Sequence, residues 1–263
     1  MKKLWAFLLV VFISVGAWYC FQQSSQKLKL THYVTREEPI RFLVVHSFGV
    51  PVPEFVQRLD ELRLSTHYVI DREGQVFQLV PDDKVAWHAG ISYWRHIPNL
   101  NAKSIGIELQ NDTLGQSPFP EKQIDAFVKL AKKIIHKYSI PAENVVSHSD
   151  IAPKRKVDVG KEFPWKKVAE QGIGLWADEK VTEPAEQKNV SKLLAQIGYN
   201  VTDVNSAAFA FMRRYVPELV PMDPQLNHLE ENLPNWTEAL DLSNPLFLLR
   251  LNQVVAVYPD RDK

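Results

Sequence analysis

Apolar residues follow two different periodicities along the first part of the chain. Continuous apolar runs and period-two alternation, which are typical of strands, occur in IRFLVVHS (Ile40–Ser47), STHYVIDREGQVFQLV (65–80), KSIGIELQ (103–110) and NVVSHS (144–149). The second stretch contains an Arg-Glu-Gly turn and is predicted to form two strands. Helical spacing occurs in PEFVQRLDELRL (Pro53–Leu64) and PEKQIDAFVKLAKKIIHKY (120–138). Strands interleaved with helices predict an α/β or α+β layer domain over about residues 30–172.

The pattern changes after Trp176. A polar connector that contains proline spans residues 177–184, and helical patterns with hardly any strand signal follow it. Three stretches are predicted to be helical: VSKLLAQIGYN (190–200), DVNSAAFAFMRRYVPE (203–218) and NPLFLLRLNQVVAVY (244–258). Gly198 is expected to end the first of these helices and Asp203 to cap the second. Residues 185–263 therefore predict a small all-α C-terminal domain, unless the same helices pack on the first domain as an extension.

The first 21 residues combine a basic start with an apolar run. MKK precedes LWAFLLVVFISVGAWYCF, which has the length of a signal sequence or a membrane anchor. The chain is therefore expected to be exported. Three fates of residues 1–21 stay open, namely cleavage after Ala17, retention as a short anchor, and lipid attachment at Cys20, although Tyr19 stands where a small residue normally precedes a lipidated cysteine. A polar spacer over residues 22–37 follows.

Composition and charge exclude several classes of protein. The chain has 31 Lys and Arg against 31 Asp and Glu, so the net charge is zero and no basic footprint for nucleic acid exists. A single cysteine, Cys20, excludes an intrachain disulfide framework and a multi-cysteine zinc site. Metal chemistry must therefore use histidine and carboxylate. No coiled-coil seam is visible, so a monomer is the default expectation.

Candidate chemical groups lie near the ends of predicted strands. His46 closes the first apolar strand, His148 follows a later short strand, and Asp158 lies in the next loop. Because ligand sites gather at strand ends in open sheets, the two histidines can converge. Imidazole and carboxylate are zinc ligands, three of them suffice for a catalytic site, and zinc makes water nucleophilic at neutral pH. On composition alone, Asp150 and His88 are rival third ligands.

Several motifs occur in the same order as in a known family of enzymes. They are VVHS (44–47), STHYVIDREGQVFQLV (65–80), VAWHAG (85–90), KSIGIELQN (103–111) and VVSHSDIAPKRKVDVGKEFPW (145–165). Over about residues 38–172 the chain resembles the zinc-dependent N-acetylmuramoyl-L-alanine amidases of the type 2 amidase family, above all the cell-envelope branch in which Asp replaces a Cys ligand. The resemblance implies an α/β fold with a mixed central β-sheet flanked by helices, and a catalytic domain over residues 38–176. The family is also related to the animal peptidoglycan recognition proteins, some of which bind without cutting.

The resemblance implies roles for individual residues. His46, His148 and Asp158 correspond to the ligands of one Zn²⁺ per catalytic domain. Glu108 corresponds to the general base and Lys156 to the cation that stabilises the oxyanion. The surroundings of both agree with these roles, because Glu108 alternates with apolar strand residues that would partly desolvate it, and Lys156 lies in the loop that carries Asp158.

Further residues are expected to line the substrate groove. The resemblance implies substrate contacts by Trp87, His88 and Ala89, and Tyr68 and Asn101 are further candidates for contacts. Tyr68 alternates with His67 along a strand, so only one of the two can face the cleft. Asn101 either contacts the peptide or holds its loop.

The implied reaction is hydrolysis of the amide that joins N-acetylmuramic acid, or its anhydro form, to L-alanine of the peptidoglycan stem peptide. Two alternatives stay open: a non-catalytic protein that binds muropeptides on the same scaffold, and a zinc peptidase that cuts within the stem peptide. The implied location is the bacterial cell envelope or periplasm, with membrane attachment through residues 1–21 or through a lipid on Cys20, as in an outer-membrane lipoprotein.

The C-terminal region resembles, more faintly, the three-helix peptidoglycan-binding module of wall hydrolases. The resemblance rests on a Leu-Leu pair, the Gly-Tyr at residues 198–199 and the Arg-Arg-Tyr at residues 213–215. Any pair of apolar helices could imitate this pattern. Binding of peptidoglycan and simple packing on the first domain are therefore both open for residues 185–263.

Overall fold

The computed structural model describes residues 28–220 and 240–259. The predicted leader over residues 1–21, including Cys20, lies outside the described residues, as do residues 221–239 and 260–263. Among the described residues, no helix combines the length and the apolar character needed to cross a bilayer.

The described residues form nine strands and seven α-helices, connected by short 3₁₀ helices. The strands are β1 (Tyr33–Thr35), β2 (Phe42–Phe48), β3 (Tyr68–Ile70), β4 (Val76–Gln78), β5 (Lys84–Ala86), β6 (Tyr93–Trp94), β7 (Ile97–Pro98), β8 (Ser104–Gln110) and β9 (Val145–Ser147). The α-helices are α1 (Val52–Glu61), α2 (Glu121–Tyr138), α3 (His148–Ile151), α4 (Trp165–Ala169), α5 (Val190–Ile197), α6 (Val204–Tyr215) and α7 (Pro245–Val255). The 3₁₀ helices span Leu100–Lys103, Ala142–Asn144, Gln187–Asn189 and Pro217–Leu219.

The central sheet has the strand order β4-β3-β8-β2-β9. Strands β3, β8, β2 and β9 are parallel, and β4 pairs antiparallel with β3 at the edge. The mixed α/β sheet that the resemblance implies is therefore confirmed. Because β2 lies between β8 and β9, the carboxyl ends of these parallel strands meet at one edge of the sheet, where His46 pairs in register with Glu108.

Strand β8 lacks the solvated polar face that its alternating sequence suggests. Ile105 and Ile107 pack with α2 in one apolar cluster, as predicted. Gly106 and Glu108 on the opposite face are also buried. A central strand of a layered sheet is covered on both sides. The polar residues of β8 therefore belong to an internal site and not to the protein surface.

Helices α5, α6 and α7 pack directly on the first part of the chain. The Asp203 carboxylate caps α6 by accepting a hydrogen bond from the Ser206 N–H at 3.0 Å, and Gly198 follows α5, as predicted. One apolar cluster spans both parts and includes Val44, Val146, Leu194, Phe211 and Phe247. The sheet and the described C-terminal helices therefore share a core, while the division of the chain at residues 177–184 stays a prediction.

Candidate active site

Three potential metal ligands converge at the carboxyl edge of the sheet. His46 lies in β2, His148 is the first residue of α3, and Asp158 lies in the loop that follows. Nδ1 of His46 lies 3.0 Å from Nδ1 of His148 and 3.4 Å from Oδ2 of Asp158. The same carboxylate oxygen lies 3.2 Å from Nδ1 of His148. The parallel course of β2 and β9 thus brings together two histidines that are 102 residues apart.

These donor atoms fit a zinc ion. Zn–N bonds of about 2.0–2.1 Å in a tetrahedral site place ligand atoms roughly 3.3 Å apart, and the three observed separations are 3.0, 3.4 and 3.2 Å. Burial, with His148 acting in the same direction, lowers the pKa of His46 to about 4, so this imidazole is neutral as a ligand requires. Burial alone would raise the pKa of Asp158, but His148 and His46 outweigh it and hold that pKa well below its usual range.

A capping box places His148 at the sheet edge. Ser147 Oγ accepts a hydrogen bond from the Asp150 N–H at 3.1 Å, and the Asp150 carboxylate accepts one from the Ser147 N–H at 2.9 Å. Reciprocal bonds of this kind fix the first turn of a helix. Helix α3 therefore begins at His148, directly after β9.

A chain of hydrogen bonds selects the tautomer of His46. Ser104 Oγ donates its proton to the Leu100 carbonyl at 2.7 Å, so it accepts a hydrogen bond from Nε2–H of His88 at 3.2 Å. Burial lowers the pKa of both His46 and His88, so both rings are neutral. Nδ1 of His88 then has no proton and accepts from Nε2–H of His46 at 3.0 Å. His46 consequently keeps its lone pair on Nδ1, the atom that faces the other two ligands.

His148 presents the same ring nitrogen. Its Nε2 lies 3.3 Å from the Ala89 carbonyl oxygen, an acceptor that requires the proton on Nε2 in the neutral ring. The same carbonyl accepts a hydrogen bond at 2.9 Å from Arg155 Nη2, which also donates to the Ile91 carbonyl at 2.7 Å. Ala89, a predicted substrate contact, is buried and acts here through its backbone.

Glu108 lies beside the ligands, and its Oε1 is 3.9 Å from Nδ1 of His46. Its side chain is only 10% exposed. Burial raises the pKa of Glu108 well above its ordinary value; the charge of Asp158 adds to this rise and the charge of Lys156 opposes it. A carboxyl group with a raised pKa can both accept and return a proton near neutral pH.

Lys156 and Lys154 share a loop but differ in their surroundings. Lys156 is half-buried. Its charge opposes the raised pKa of Glu108, so it lies within electrostatic reach of the site. Lys154 is exposed, and its Nζ lies 3.9 Å from a carboxylate oxygen of Asp203 at the start of α6. Of the two, only Lys156 contributes to the pKa of the buried Glu108 beside the ligand cluster.

The predicted substrate contacts around the WHAG segment divide into exposed and buried residues. Trp87 is 38% exposed, so its ring is available to a ligand. His88 is buried, and a Cβ at Gly106 would lie 2.6 Å from its ring, so glycine is what allows the ring to pack on β8. The Asn101 side-chain oxygen accepts hydrogen bonds from the N–H groups of His88 and Ala89 at 3.1 and 2.7 Å. Asn101 therefore holds the loop.

The structure corrects the placement of Tyr68 in the groove. Tyr68 pairs with Ile107 in register and packs in the core with α2, and its hydroxyl donates to Asp82 at 2.6 Å. Side chains alternate across a strand, so Tyr68 lies on the face opposite Glu108. His67 does not line the cleft either, because it is fully buried and its Nδ1 accepts a hydrogen bond from the Gly106 N–H at 3.1 Å.

Neither rival third ligand joins the metal cluster. The Asp150 carboxylate is engaged by the Tyr199 hydroxyl and by Arg214, and His88 supports His46 from behind. Ser104 and Arg155 also take part in the hydrogen bonds behind the two histidines, and no motif in the sequence indicates this. A glycine inside a strand does indicate a close approach by another group, but the sequence does not say which ring approaches Gly106.

Known proteins with a similar sequence share one activity. The sequence profile of the N-acetylmuramoyl-L-alanine amidase family matches residues 36–161. The N-acetylmuramoyl-L-alanine amidase AmiD of Escherichia coli (strain K12) is 39% identical over 186 residues, which cover 62% of this chain and 67% of that protein. The 1,6-anhydro-N-acetylmuramyl-L-alanine amidase AmpD of Enterobacter cloacae is 36% identical over 150 residues, which cover 49% of this chain and 79% of that protein.

Two solved structures are similar over most of the chain. The complex of E. coli AmiD with the substrate anhydro-N-acetylmuramic acid-L-Ala-D-γ-Glu-L-Lys has a TM-score of 0.69 and 32% identity, covering 83% of this chain and 90% of that chain. Pseudomonas aeruginosa AmpDh3 in complex with anhydromuramic pentapeptide has a TM-score of 0.67 and 28% identity, covering 84% and 92%. The structural similarity therefore extends beyond residues 36–161, the part of the chain that the family profile matches.

Proposed function

Because this chain belongs to the N-acetylmuramoyl-L-alanine amidase family, we propose that it acts through one zinc ion held by His46, His148 and Asp158. The chain is an N-acetylmuramoyl-L-alanine amidase, which hydrolyses the amide between N-acetylmuramic acid and L-alanine of the peptidoglycan stem peptide. The donor set carries the metal assignment, since two imidazole nitrogens and a carboxylate oxygen lie within 4.8 Å of one another.

Muropeptides in the anhydro form are the proposed ligands of this cleft. The two structures described above, of AmiD and AmpDh3, each contain an anhydromuramyl peptide. The exposed ring of Trp87 beside the buried His88 offers an apolar surface for the sugar or the peptide. Intact sacculi are the second substrate to be compared with these fragments.

Each polar residue of the site has one proposed task in the reaction. Zinc at this site supplies a Lewis acid that polarises the scissile carbonyl and makes water nucleophilic at neutral pH. Glu108 takes a proton from the attacking water and delivers it to the leaving amine nitrogen, which its raised pKa favours. Lys156 places a positive charge near the carbonyl oxygen as that oxygen becomes an anion. His88 and the Ala89 carbonyl hold the two imidazoles in the tautomers that ligation requires.

Metal removal combined with product analysis tests this proposal. Chelation with EDTA is expected to abolish cleavage of a purified muropeptide, and added zinc is expected to restore it. Mass spectrometry should then detect a free stem peptide that begins with L-alanine. Full activity after chelation in metal-free buffer would contradict the metal assignment. Shortened stem peptides would identify a peptidase, and unchanged muropeptides would identify a binding protein.

We also propose that the chain acts in the bacterial cell envelope, with residues 1–21 serving as a cleaved export signal, as a membrane anchor, or as the segment that carries a lipid on Cys20. Cell fractionation of the full chain and of Cys20→Ser distinguishes the fates of this segment. Lipid attachment predicts wild type in the membrane fraction and the variant in the soluble fraction. An anchor retains both proteins in the membrane, and a cleaved signal leaves both soluble with a shortened N-terminus.

A further inference from the structure

Helix α6 brings two adjacent buried arginines against the metal-binding edge of the sheet. Arg213 and Arg214 are only 3% and 2% exposed. Charged side chains are almost never buried to this extent unless they are paired. The partners of Arg214 therefore indicate what this helix contributes to the molecule.

Arg214 holds strand β9 and the turn that carries a metal ligand. Its Nη1 donates to Oδ2 of Asp150 at 2.8 Å, and both Nη1 and Nη2 lie 3.2 Å from the Val145 carbonyl oxygen. The guanidinium carbon lies 3.9 Å from the centroid of the Trp165 ring. The side chains of the ion pair are 1% and 0% exposed. Arg214 thus joins the first residue of β9 to the residue two positions after His148.

Tyr199, which follows α5, donates a further hydrogen bond to the Asp150 carboxylate. Its hydroxyl donates to Oδ1 of Asp150 at 2.7 Å, while Oδ2 accepts from Arg214 and from the Ser147 N–H at 2.9 Å. The Ser147 contact is half of the capping box that starts α3 at His148. The same carboxylate is therefore bonded both to the backbone that places His148 and to the C-terminal helical region.

We infer that Arg214 and Tyr199 are positioning residues for the zinc ligand His148, acting through the Asp150 carboxylate. This inference rests on the proposed zinc site. Metal ligands must be held to within about 0.5 Å of the productive geometry, and groups behind the ligands provide that precision. The region after residue 185 therefore forms part of the active-site scaffold.

The second arginine, Arg213, is also buried, and its guanidinium carbon lies 5.3 Å from the centroid of the Phe209 ring. Burial lowers the pKa of Arg213 to about 10, and the negative charge of Asp158 opposes that shift. Helix α6 consequently places one guanidinium on the carboxylate beside His148 and a second within electrostatic reach of Asp158.

The residues that carry the resemblance to a peptidoglycan-binding module are those that make this interface. Tyr199, Arg213, Arg214 and Tyr215 are each at most 3% exposed, so they are not available to a glycan. Any wall-contacting surface of the C-terminal region must lie on other residues. Within these patterns, Tyr199 and Arg214 bond to Asp150 in the interior of the protein, and these two residues have the positioning role.

Conservative variants of the full chain separate positioning from general stability. Tyr199→Phe removes only the hydroxyl that reaches Asp150. Tyr215→Phe is the matched control, because it removes an equally buried hydroxyl whose partner is Tyr258 at 3.0 Å. Arg214→Lys keeps the charge but loses the forked contact to Asp150 and Val145. If Arg214→Lys does not fold, the two tyrosine variants alone decide the question.

The decisive readout is zinc affinity, measured by competition with a chelator, together with the rise in Tm that zinc produces. Tyr199→Phe is expected to bind zinc about 10-fold more weakly. Losses of about 10- to 100-fold in metal affinity are typical when a group that supports a metal ligand is removed. Its kcat on a soluble muropeptide should fall more than its KM changes. Tyr215→Phe should keep wild-type zinc affinity even where its metal-free Tm is lower.

Equal zinc affinities of Tyr199→Phe, Tyr215→Phe and wild type would overturn the positioning role. An equal loss of Tm in the metal-free and zinc-loaded forms of Tyr199→Phe would overturn it as well, since that pattern indicates a purely structural contact. A wild-type chain that binds no zinc would instead overturn the metal assignment itself. Failure of the proposed function and failure of the positioning role are thus distinguishable.

Discussion

Nε2 of His46 lies 3.0 Å from Nδ1 of His88, and this contact decides which nitrogen of His46 is available to a metal. The direction of the hydrogen bond is imposed from Ser104, whose only proton is used on the Leu100 carbonyl. His88 is therefore an acceptor towards His46 and a donor towards Ser104. His88, which was expected to touch substrate, therefore bonds to the proposed ligand His46.

Replacing His88 tests this arrangement. His88→Leu is expected to weaken zinc binding about 10- to 100-fold, because His46 loses the acceptor that fixes its tautomer. His88→Asn should restore much of the affinity, since the amide oxygen of asparagine can occupy the place of Nδ1. Zinc affinity is measured by competition with a chelator. Wild-type affinity in His88→Leu would show that the contact does not control ligation.

Glu108→Gln tests the proton-transfer role. The variant keeps the size of the side chain but cannot accept a proton, so kcat is expected to fall about 100- to 10,000-fold. Zinc content, measured by atomic absorption, should equal that of wild type. Glu37→Gln, at an exposed position, is the control and should keep full activity. A Glu108→Gln protein without zinc would point to a structural part in the metal site.

Lys156 and Lys154 form a matched pair of loop cations. Lys156→Ala is expected to lower kcat about 100-fold or more, because the loss of one group that stabilises an oxyanion typically has an effect of this size. Lys154→Ala should leave kcat unchanged, because Lys154 is exposed and its carboxylate neighbour is Asp203 at 3.9 Å. Both variants are assayed on the same muropeptide. A similar loss of kcat in the two would indicate a general effect of loop charge.

Trp87 and Tyr68 were both expected to contact substrate, but the fold separates them. Trp87→Ala should raise KM about fivefold, which corresponds to roughly 1 kcal/mol of aromatic contact. Tyr68→Phe should leave KM unchanged, because the Tyr68 hydroxyl bonds to Asp82 on the opposite face of the sheet. Steady-state kinetics on one muropeptide compares the two. If Tyr68→Phe raised KM and Trp87→Ala did not, the assignment of Tyr68 to the sheet face opposite Glu108 would be contradicted.

Asp82 is expected to make stability depend on pH away from the metal site. Its carboxylate accepts hydrogen bonds from Tyr68, Tyr138 and Lys137 at 2.6, 2.8 and 3.0 Å. Burial alone would raise the pKa of Asp82, but these donors outweigh it and lower the pKa. A lowered folded-state pKa contributes stability above the unfolded pKa of about 3.9, and this contribution is lost as the pH falls through the folded value.

The free energy of unfolding of metal-free Asp82→Asn is therefore expected to be about 1–3 kcal/mol below that of metal-free wild type at pH 7. The difference should shrink at pH 3, because this pH lies below the unfolded pKa of about 3.9 and protonation of the carboxyl then stabilises the unfolded wild-type chain. Urea denaturation at the two pH values measures it. A difference that is the same at both values would contradict the linkage.

The elements with strong local periodicity could be predicted from the sequence. The α2 pattern over residues 120–138 matches the observed Glu121–Tyr138 almost residue for residue. Helix α1 ends at Glu61, before the predicted end at Leu64. Leu62 and Leu64 continue the apolar pattern but are 63% and 42% exposed, so they do not belong to the buried face. Apolar spacing alone does not distinguish a buried leucine from an exposed one.

The two histidines could be proposed as ligands from sequence because each lies at the end of a predicted strand, whereas only the resemblance to the amidase family favoured Asp158 over Asp150 and His88. The task of His88 could not be predicted, because it depends on a ring that meets His46 across 42 residues of chain. The face of Tyr68 depends on register with β8, and the partners of Asp150 depend on how α6 packs. Such relationships arise only when distant segments meet.

Because His46 and His148 are far apart along the chain, a zinc ion bound to both would also affect the stability of the fold. An ion bound to both residues closes a loop of 102 positions, and a link across a loop of about 100 residues removes roughly 4–5 kcal/mol of unfolded-chain entropy in the simplest model. With Cys20 as its one cysteine, the chain has no intrachain disulfide to do the same. Zinc bound at the proposed site would therefore serve as a reversible cross-link, and resistance to proteolysis is expected to rise and fall with metal supply.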